Sequence, residues 1–115
     1  MDQQLKDLVI IGASDFGREV AALVSNINEV HKEWNFLGFV DDGLEGTTME
    51  GFNILGNVES VYLMNPKPYV VIAIANTRIK KRIAEGLEIN QIPLATLIHP
   101  SVIISDHLKI GGGSI

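Results

Sequence analysis

The sequence of 115 residues contains no cysteine, which excludes disulfide bonds, thiolate metal sites and cysteine nucleophiles. Basic residues are also few, since 9 Lys and Arg stand against 14 Asp and Glu, for a net charge of -5. Nucleic-acid binding needs a basic face, so we expect no nucleic acid as partner. No apolar run approaches the roughly 20 residues of a membrane span. We therefore expect a soluble, cytoplasmic protein without a membrane partner.

Enough apolar side chain is present for one core, because 46% of the residues are hydrophobic and 20% are charged. Continuous apolar runs are typical of parallel strands that are covered on both faces. Such runs occupy residues 8–11, 36–40, 69–75 and 94–98, with a weaker one at 53–55. Apolar residues spaced by three and four predict helices between them, with stripes that include Phe16 to Ile27 and Ile79, Ile83 and Leu87. The alternation predicts an α/β fold, a small Rossmann-like parallel sheet with flanking helices.

The pattern changes near residue 98, where Ile98, Ile104 and Ile110 recur at a period of six. Hexapeptide repeats build a parallel β-helix, and three hexads make one coil. An extended tail whose isoleucines match by chance is the other interpretation. We expect a Rossmann-like domain at residues 1–98 and the start of a hexapeptide-repeat β-helix at 99–115. Because stacked repeats need several units, the chain is interpreted as the front part of a longer protein.

The turn after the first strand reads Gly12-Ala13-Ser14-Asp15-Phe16-Gly17. A glycine-containing turn between a strand and a helix is the setting in which phosphates bind. Gly12, Ala13, Ser14 and Gly17 are therefore candidates to hold phosphate or sugar. Ser14 replaces the glycine that admits a dinucleotide pyrophosphate, which favours a mononucleotide or nucleotide-sugar over NAD. A tight strand-to-helix turn, with Asp15 or Ser14 as the N-cap of the helix, explains the same residues without a ligand.

Polar residues also follow the second and the central strand, where ligands bind in open α/β sheets. Asp41 and Asp42 are candidates for ribose or base donors, although Asp-Asp-Gly is also an ordinary turn signal. Asn76 is a candidate to fix the ligand or to cap the next helix. We find no catalytic constellation and no metal-ligand spacing, so no catalytic or metal residue is predicted.

Four segments together resemble the sialic acid O-acetyltransferase and bacillosamine N-acetyltransferase family of sugar acyltransferases. They are residues 9–20, which contain the first turn, 38–42, 71–76 with Arg82, and 96–103, which contain His99-Pro100. The resemblance covers the whole chain in the order of the family. The family turn usually has a glycine and a histidine where this sequence has Asp15 and Phe16, which places the identity of the substrate in question.

The resemblance implies a substrate-binding N-terminal domain of a sugar O- or N-acetyltransferase, with a nucleotide-sugar or sialic-acid-type sugar as ligand. It also implies that acetyl-CoA binds along the β-helix of a full-length homotrimer and that the catalytic histidine lies beyond residue 115. For this chain alone we expect no cofactor, no catalysis, and a monomer or weak oligomer. The alternatives are a stand-alone regulatory module that binds NAD or a mononucleotide, and a domain that keeps only the fold.

Overall fold

The computed structural model describes residues 5–13, 15–41, 48–49 and 52–97. Helices separate the three longer strands in this part of the chain, as the apolar runs predict. In chain order the elements are β1 (Lys6–Ile11), α1 (Asp15–Val30), β2 (Trp34–Val40), β3 (Thr48–Met49), β4 (Phe52–Asn53), α2 (Val58–Tyr62), β5 (Tyr69–Ile72) and α3 (Thr77–Ile89).

The main sheet has three parallel strands in the order β2-β1-β5. At the carboxyl end of the central strand, Ile11 lies beside Val40 on one side and Ile72 on the other. Strands β3 and β4 form a separate antiparallel pair. The predicted α/β fold with a small parallel sheet is confirmed.

Residues 8–11 of β1 are apolar without alternation because both faces of the strand are covered there. Leu8 and Ile10 belong to one buried cluster, which includes Val20, Val24 and Ile27 of α1. Val9 and Ile11 belong to a second cluster with Val61 of α2 and Leu87 of α3. Complete burial of each such side chain contributes about 1.5–3 kcal/mol. Helices on both faces of the sheet therefore fix its position, and with it the ends of the strands.

Strand β5 ends at Ile72, although the apolar run predicts a strand as far as residue 75. Its neighbour β1 ends at Ile11, and Gly12 then turns the chain away with a φ of 105°. The amide of Ala73 still donates to the carbonyl of Ile11 at 2.7 Å, so the pairing of this segment with β1 stops one residue after β5 ends. Residues 74–76 leave the sheet at its carboxyl edge.

The strand predicted at residues 94–98 is wrong for the described part, which ends at Leu97. Only a single parallel bridge, between Val70 and Leu94, joins this segment to β5. Ile79, assigned to the apolar stripe of the last helix, is 44% exposed because it lies in the first turn of α3 at the open edge of the sheet. The hexads and the boundary at residue 98 lie outside the described residues, and both stay predictions. Among the helices that the structure describes, none has the length and apolarity needed to cross a membrane.

Candidate functional site

The candidate site lies at the carboxyl edge of the sheet, where three chain segments leave neighbouring parallel strands. Gly12 follows β1, Asp41 follows β2, and residues 73–76 follow β5. The pairing of Ile11 with both Val40 and Ile72 brings these three exits together. Ligands of open α/β sheets bind in the crevice at this edge.

The turn after β1 is held by the strands on either side of it. The amide of Gly12 donates to the carbonyl of Val40 at 2.8 Å. A Cβ on Gly12 would lie 2.6 Å from the carbonyl oxygen of Ala73, and its φ of 105° is unfavourable for other residues. A Cβ on Gly17 would overlap the carbonyl oxygen of Gly12. Both positions therefore require glycine, because a backbone carbonyl oxygen of another segment occupies the space that a Cβ would need.

Asp41 connects the end of β2 to this turn. Its Oδ2 accepts a hydrogen bond from the backbone amide of Ala13 at 2.9 Å. Its own amide donates to the carbonyl of Gly56 at 3.0 Å. The residue is half-buried. Three segments that are distant in sequence are thus held together by one aspartate, which has a structural task in addition to the ligand role predicted for it.

Asn76 is the N-cap of α3. Its Oδ1 accepts from the amide of Ile79 at 3.1 Å, and the side chain is exposed. Capping uses the carbonyl end of the amide, so the Nδ2 donors are not needed for the helix. An open cavity of about 660 Å³ is lined by Ala75, Asn76, Thr77, Arg78 and Ile79. This position permits the predicted contact with a ligand.

Asp15 and Phe16, the two departures from the family turn, have different surroundings. Asp15 is the first residue of α1, its side chain is 98% exposed, and its Oδ1 lies 3.9 Å from Arg18. Phe16 is half-buried and packs against the core cluster that contains Leu8 and Ile10. The phenyl ring therefore contributes to packing, while the carboxylate adds a negative charge at the start of the helix.

The structure brings Gly12, Ala13 and Asp41 into direct contact, with Gly17 packed behind the turn and Asn76 on the same edge. Ser14 and Asp42 lie outside the described residues, and their ligand roles stay predictions. The backbone carbonyl of Gly56 accepts a hydrogen bond from the amide of Asp41. This contact could not be predicted from the sequence, because every residue type has a backbone carbonyl. Within the described ranges, no group of three or more His, Cys, Asp or Glu could hold a metal ion.

The fold defines a small Rossmann-like domain with a candidate site at the polar edge of its sheet. Residues 7–87 match the model of the PglD N-terminal domain, and the chain belongs to this family. This confirms the resemblance to sugar acetyltransferases that the sequence indicates.

Two relatives and one solved structure show the wider context. The chain is 33% identical over 111 residues to a GDP-perosamine N-acetyltransferase of Escherichia coli O157:H7, covering 92% of this chain and 48% of the relative. It is 27% identical over 116 residues to a UDP-N-acetylbacillosamine N-acetyltransferase of Bacillus subtilis (strain 168), covering 96% and 51%. The acetyltransferase domain of PglB from Neisseria gonorrhoeae FA1090, solved in complex with acetyl coenzyme A, is 28% identical with a TM-score of 0.80, covering 96% and 52%. The chain thus spans about half the length of the relatives it matches.

Proposed function

We propose that this chain is the substrate-binding N-terminal domain of an acetyl-CoA-dependent N-acetyltransferase whose substrate is a nucleotide-linked amino sugar. Family membership supports this, as do two relatives named for N-acetylation of GDP- or UDP-linked sugars. The proposal includes a full-length homotrimer, a monomer or weak oligomer for this chain, and a cytoplasmic location.

The observation that carries the proposal is the meeting of three strand exits at one edge, joined by the bond from Ala13 to Asp41. Residues 94–97 run parallel to β5, as the hydrogen bonds around Val70 indicate. Leu97 and Ala73 belong to the same buried cluster. Residues 94–97 therefore run beside β5 toward the edge that carries the candidate site.

The proposed reaction assigns a limited task to this domain. The sugar amine attacks the thioester carbonyl of acetyl-CoA, an amide C–N bond forms, the C–S bond breaks, and CoA leaves as a thiolate that receives the proton lost by the amine. A general base takes the proton from the amine, and we assign neither that base nor acetyl-CoA binding to the described residues. In this scheme Gly12, Ala13, Ser14, Gly17, Asp41, Asp42 and Asn76 hold and orient the nucleotide-sugar.

The test is a thermal melt of the 115-residue chain with GDP-sugars, UDP-sugars, CMP-sialic acid, NAD and CoA in parallel. A ligand at about 100 times its Kd stabilises the fold by about 2.7 kcal/mol. We expect nucleotide-sugars to raise the Tm, with a smaller rise in Asp41→Ala, each variant being compared with its own ligand-free Tm.

Asp7→Ala is the matched control, because Asp7 lies in β1 toward the opposite end of the sheet and bonds Asn35 at 3.0 Å. It removes the same charge without touching the site. A Tm rise with NAD alone would favour the regulatory module, and no rise with any nucleotide-sugar would contradict the proposal. Light scattering tests the assembly, and a stable trimer after deletion of residues 103–115 would contradict the predicted monomer or weak oligomer.

A further inference from the structure

The outer face of α3 carries a stripe of exposed side chains that is directed away from the sheet. Arg78, Arg82, Glu85 and Ile89 are separated by four, three and four residues, so they lie along one line of the helix surface. All four are exposed, and Ile89 is 81% exposed although it is apolar. The other face of α3 packs on the sheet through Leu87, which is fully buried. The stripe is therefore the solvent side of the helix.

The charges on this side of α3 oppose the helix dipole. Cations are stabilised near the carboxyl end of a helix, and carboxylates near its amino end. In α3 the exposed side of the first half has Arg78, Lys81 and Arg82, and that of the second half has Glu85 and Glu88. Within the described residues, none of these five charges belongs to an ion pair. The helix thus presents a positive half and a negative half to solvent.

The stripe is complementary to itself when a second copy lies antiparallel to it. Arg82 and Glu85 are equally far from the midpoint of residues 83–84, and so are Arg78 and Ile89. A twofold axis through that midpoint exchanges the members of each pair, as in an isologous interface. It sets Arg82 of each copy beside Glu85 of the other, where an arginine and a carboxylate form strong paired hydrogen bonds. It also lays the aliphatic stem of Arg78 on the apolar side chain of Ile89.

We propose that α3 forms a weak symmetric homodimer with α3 of a second copy, in which the two helices lie antiparallel and Arg82 pairs with Glu85. An acidic partner of another kind would attract the arginines but repel Glu85 and Glu88, and a basic partner would do the reverse. A second copy satisfies both halves of the helix at once. The inference goes beyond the proposed function and does not depend on the substrate.

The dimer should be weak, because exposed ion pairs contribute little and one pair of helices forms less than a standard interface. We expect a dissociation constant of about 0.1–1 mM. Sedimentation velocity and ¹⁵N–¹H spectra of the 115-residue chain test it over concentrations up to about 1 mM. The sedimentation coefficient should rise with concentration, and the amides of α3 should shift most. An increase in salt from about 0.1 M to about 1 M shortens the Debye length from about 10 Å to about 3 Å and should weaken the association about fivefold.

Charge reversal distinguishes pairing of the α3 helices from a general effect of net charge. Arg82→Glu and Glu85→Arg each set like charges opposite one another twice in the dimer, and each should weaken self-association about tenfold. A mixture of the two variants restores both pairs of opposite charge, so it should associate about as tightly as the unchanged chain. Glu29→Arg is the matched control, because it alters the net charge as Glu85→Arg does, at an exposed position of α1 on the other face of the sheet. It should change the association by less than about twofold.

The unchanged chain and the mixture decide the inference. A chain that sediments as a monomer at every concentration would overturn it, and this result stands even if a variant does not fold. A mixture that associates no better than either variant alone would overturn it too. So would an equal effect of Glu29→Arg and Glu85→Arg, because net charge would then account for both. Loss of the nucleotide-sugar melting shift in Arg82→Glu, with association unchanged, would assign Arg82 to the ligand instead. The melting shift of the unchanged chain tests the proposed function separately.

Discussion

Replacement of Gly17 by alanine tests whether the turn and α1 approach each other as closely as the structure shows. Helix propensity alone predicts that Gly→Ala inside a helix stabilises by up to about 1 kcal/mol. Here the new Cβ would overlap the carbonyl oxygen of Gly12, a backbone atom held between two strands. Overpacking of this kind costs about 1–3 kcal/mol, and rigid surroundings place this site at the upper end. We expect a net loss of about 2 kcal/mol.

Gly86→Ala is the matched comparison, because it also adds one methyl group to a helical glycine. Its Cβ would meet the Oη of Tyr62, the far end of a half-buried side chain that can rotate away. We expect a change within about 1 kcal/mol, since the gain in helix propensity offsets the movement of Tyr62. Urea and thermal unfolding measure both variants, and 2 kcal/mol corresponds to a fall in Tm of about 8–16 °C for a domain of this size. If Gly17→Ala were as stable as Gly86→Ala, the close packing of α1 on the turn would be refuted.

Three further predictions concern stability, each measured by urea unfolding. Asn28→Ala should cost about 2 kcal/mol, because this side chain bonds the amides of Glu33 and Trp34 and the carbonyl of Trp34; an unchanged midpoint would contradict the role of these bonds. Asn76→Ala should cost about 1 kcal/mol and Asn76→Asp much less, since aspartate also caps a helix; equal losses would argue against capping. Leu87→Ala should lower the free energy of unfolding by about 2–5 kcal/mol, because Leu87 is buried. Ile89 is 81% exposed, so Ile89→Ala should change it by less than about 0.5 kcal/mol. Similar losses in the two variants would place Leu87 outside the core.

The fold could be predicted because hydrophobic burial dominates it and leaves a pattern in the sequence. The run at residues 8–11 predicts a strand covered on both faces, and the structure buries its side chains alternately in two clusters. The predicted bounds are wrong where the end of a neighbouring strand, rather than the local amino-acid composition, determines where an element ends. Ile74 and Ala75 continue the apolar run of β5, yet Gly12 turns away and leaves them without a strand to pair with. Strands of two residues, such as β3 and β4, are too short to show any pattern.

The position of the candidate site could be predicted, but the pairing of the two strands that lead to it could not, because the register between β1 and β2 is irregular. Leu8 pairs with Phe36 and Val9 with Gly38, so β2 contains one extra residue, at Leu37, relative to β1. In a regular register Ile11 would pair with Phe39 and Gly12 would face Val40. The irregularity instead places Val40 beside Ile11, and Asp41, the next residue, accepts a hydrogen bond from the amide of Ala13. Gly38, with a φ of 145°, marks the irregular position, and a lone glycine within an apolar strand is the one sequence signal of such a bulge. The shift in register thus lies three positions before Asp41, whose carboxylate bonds the turn.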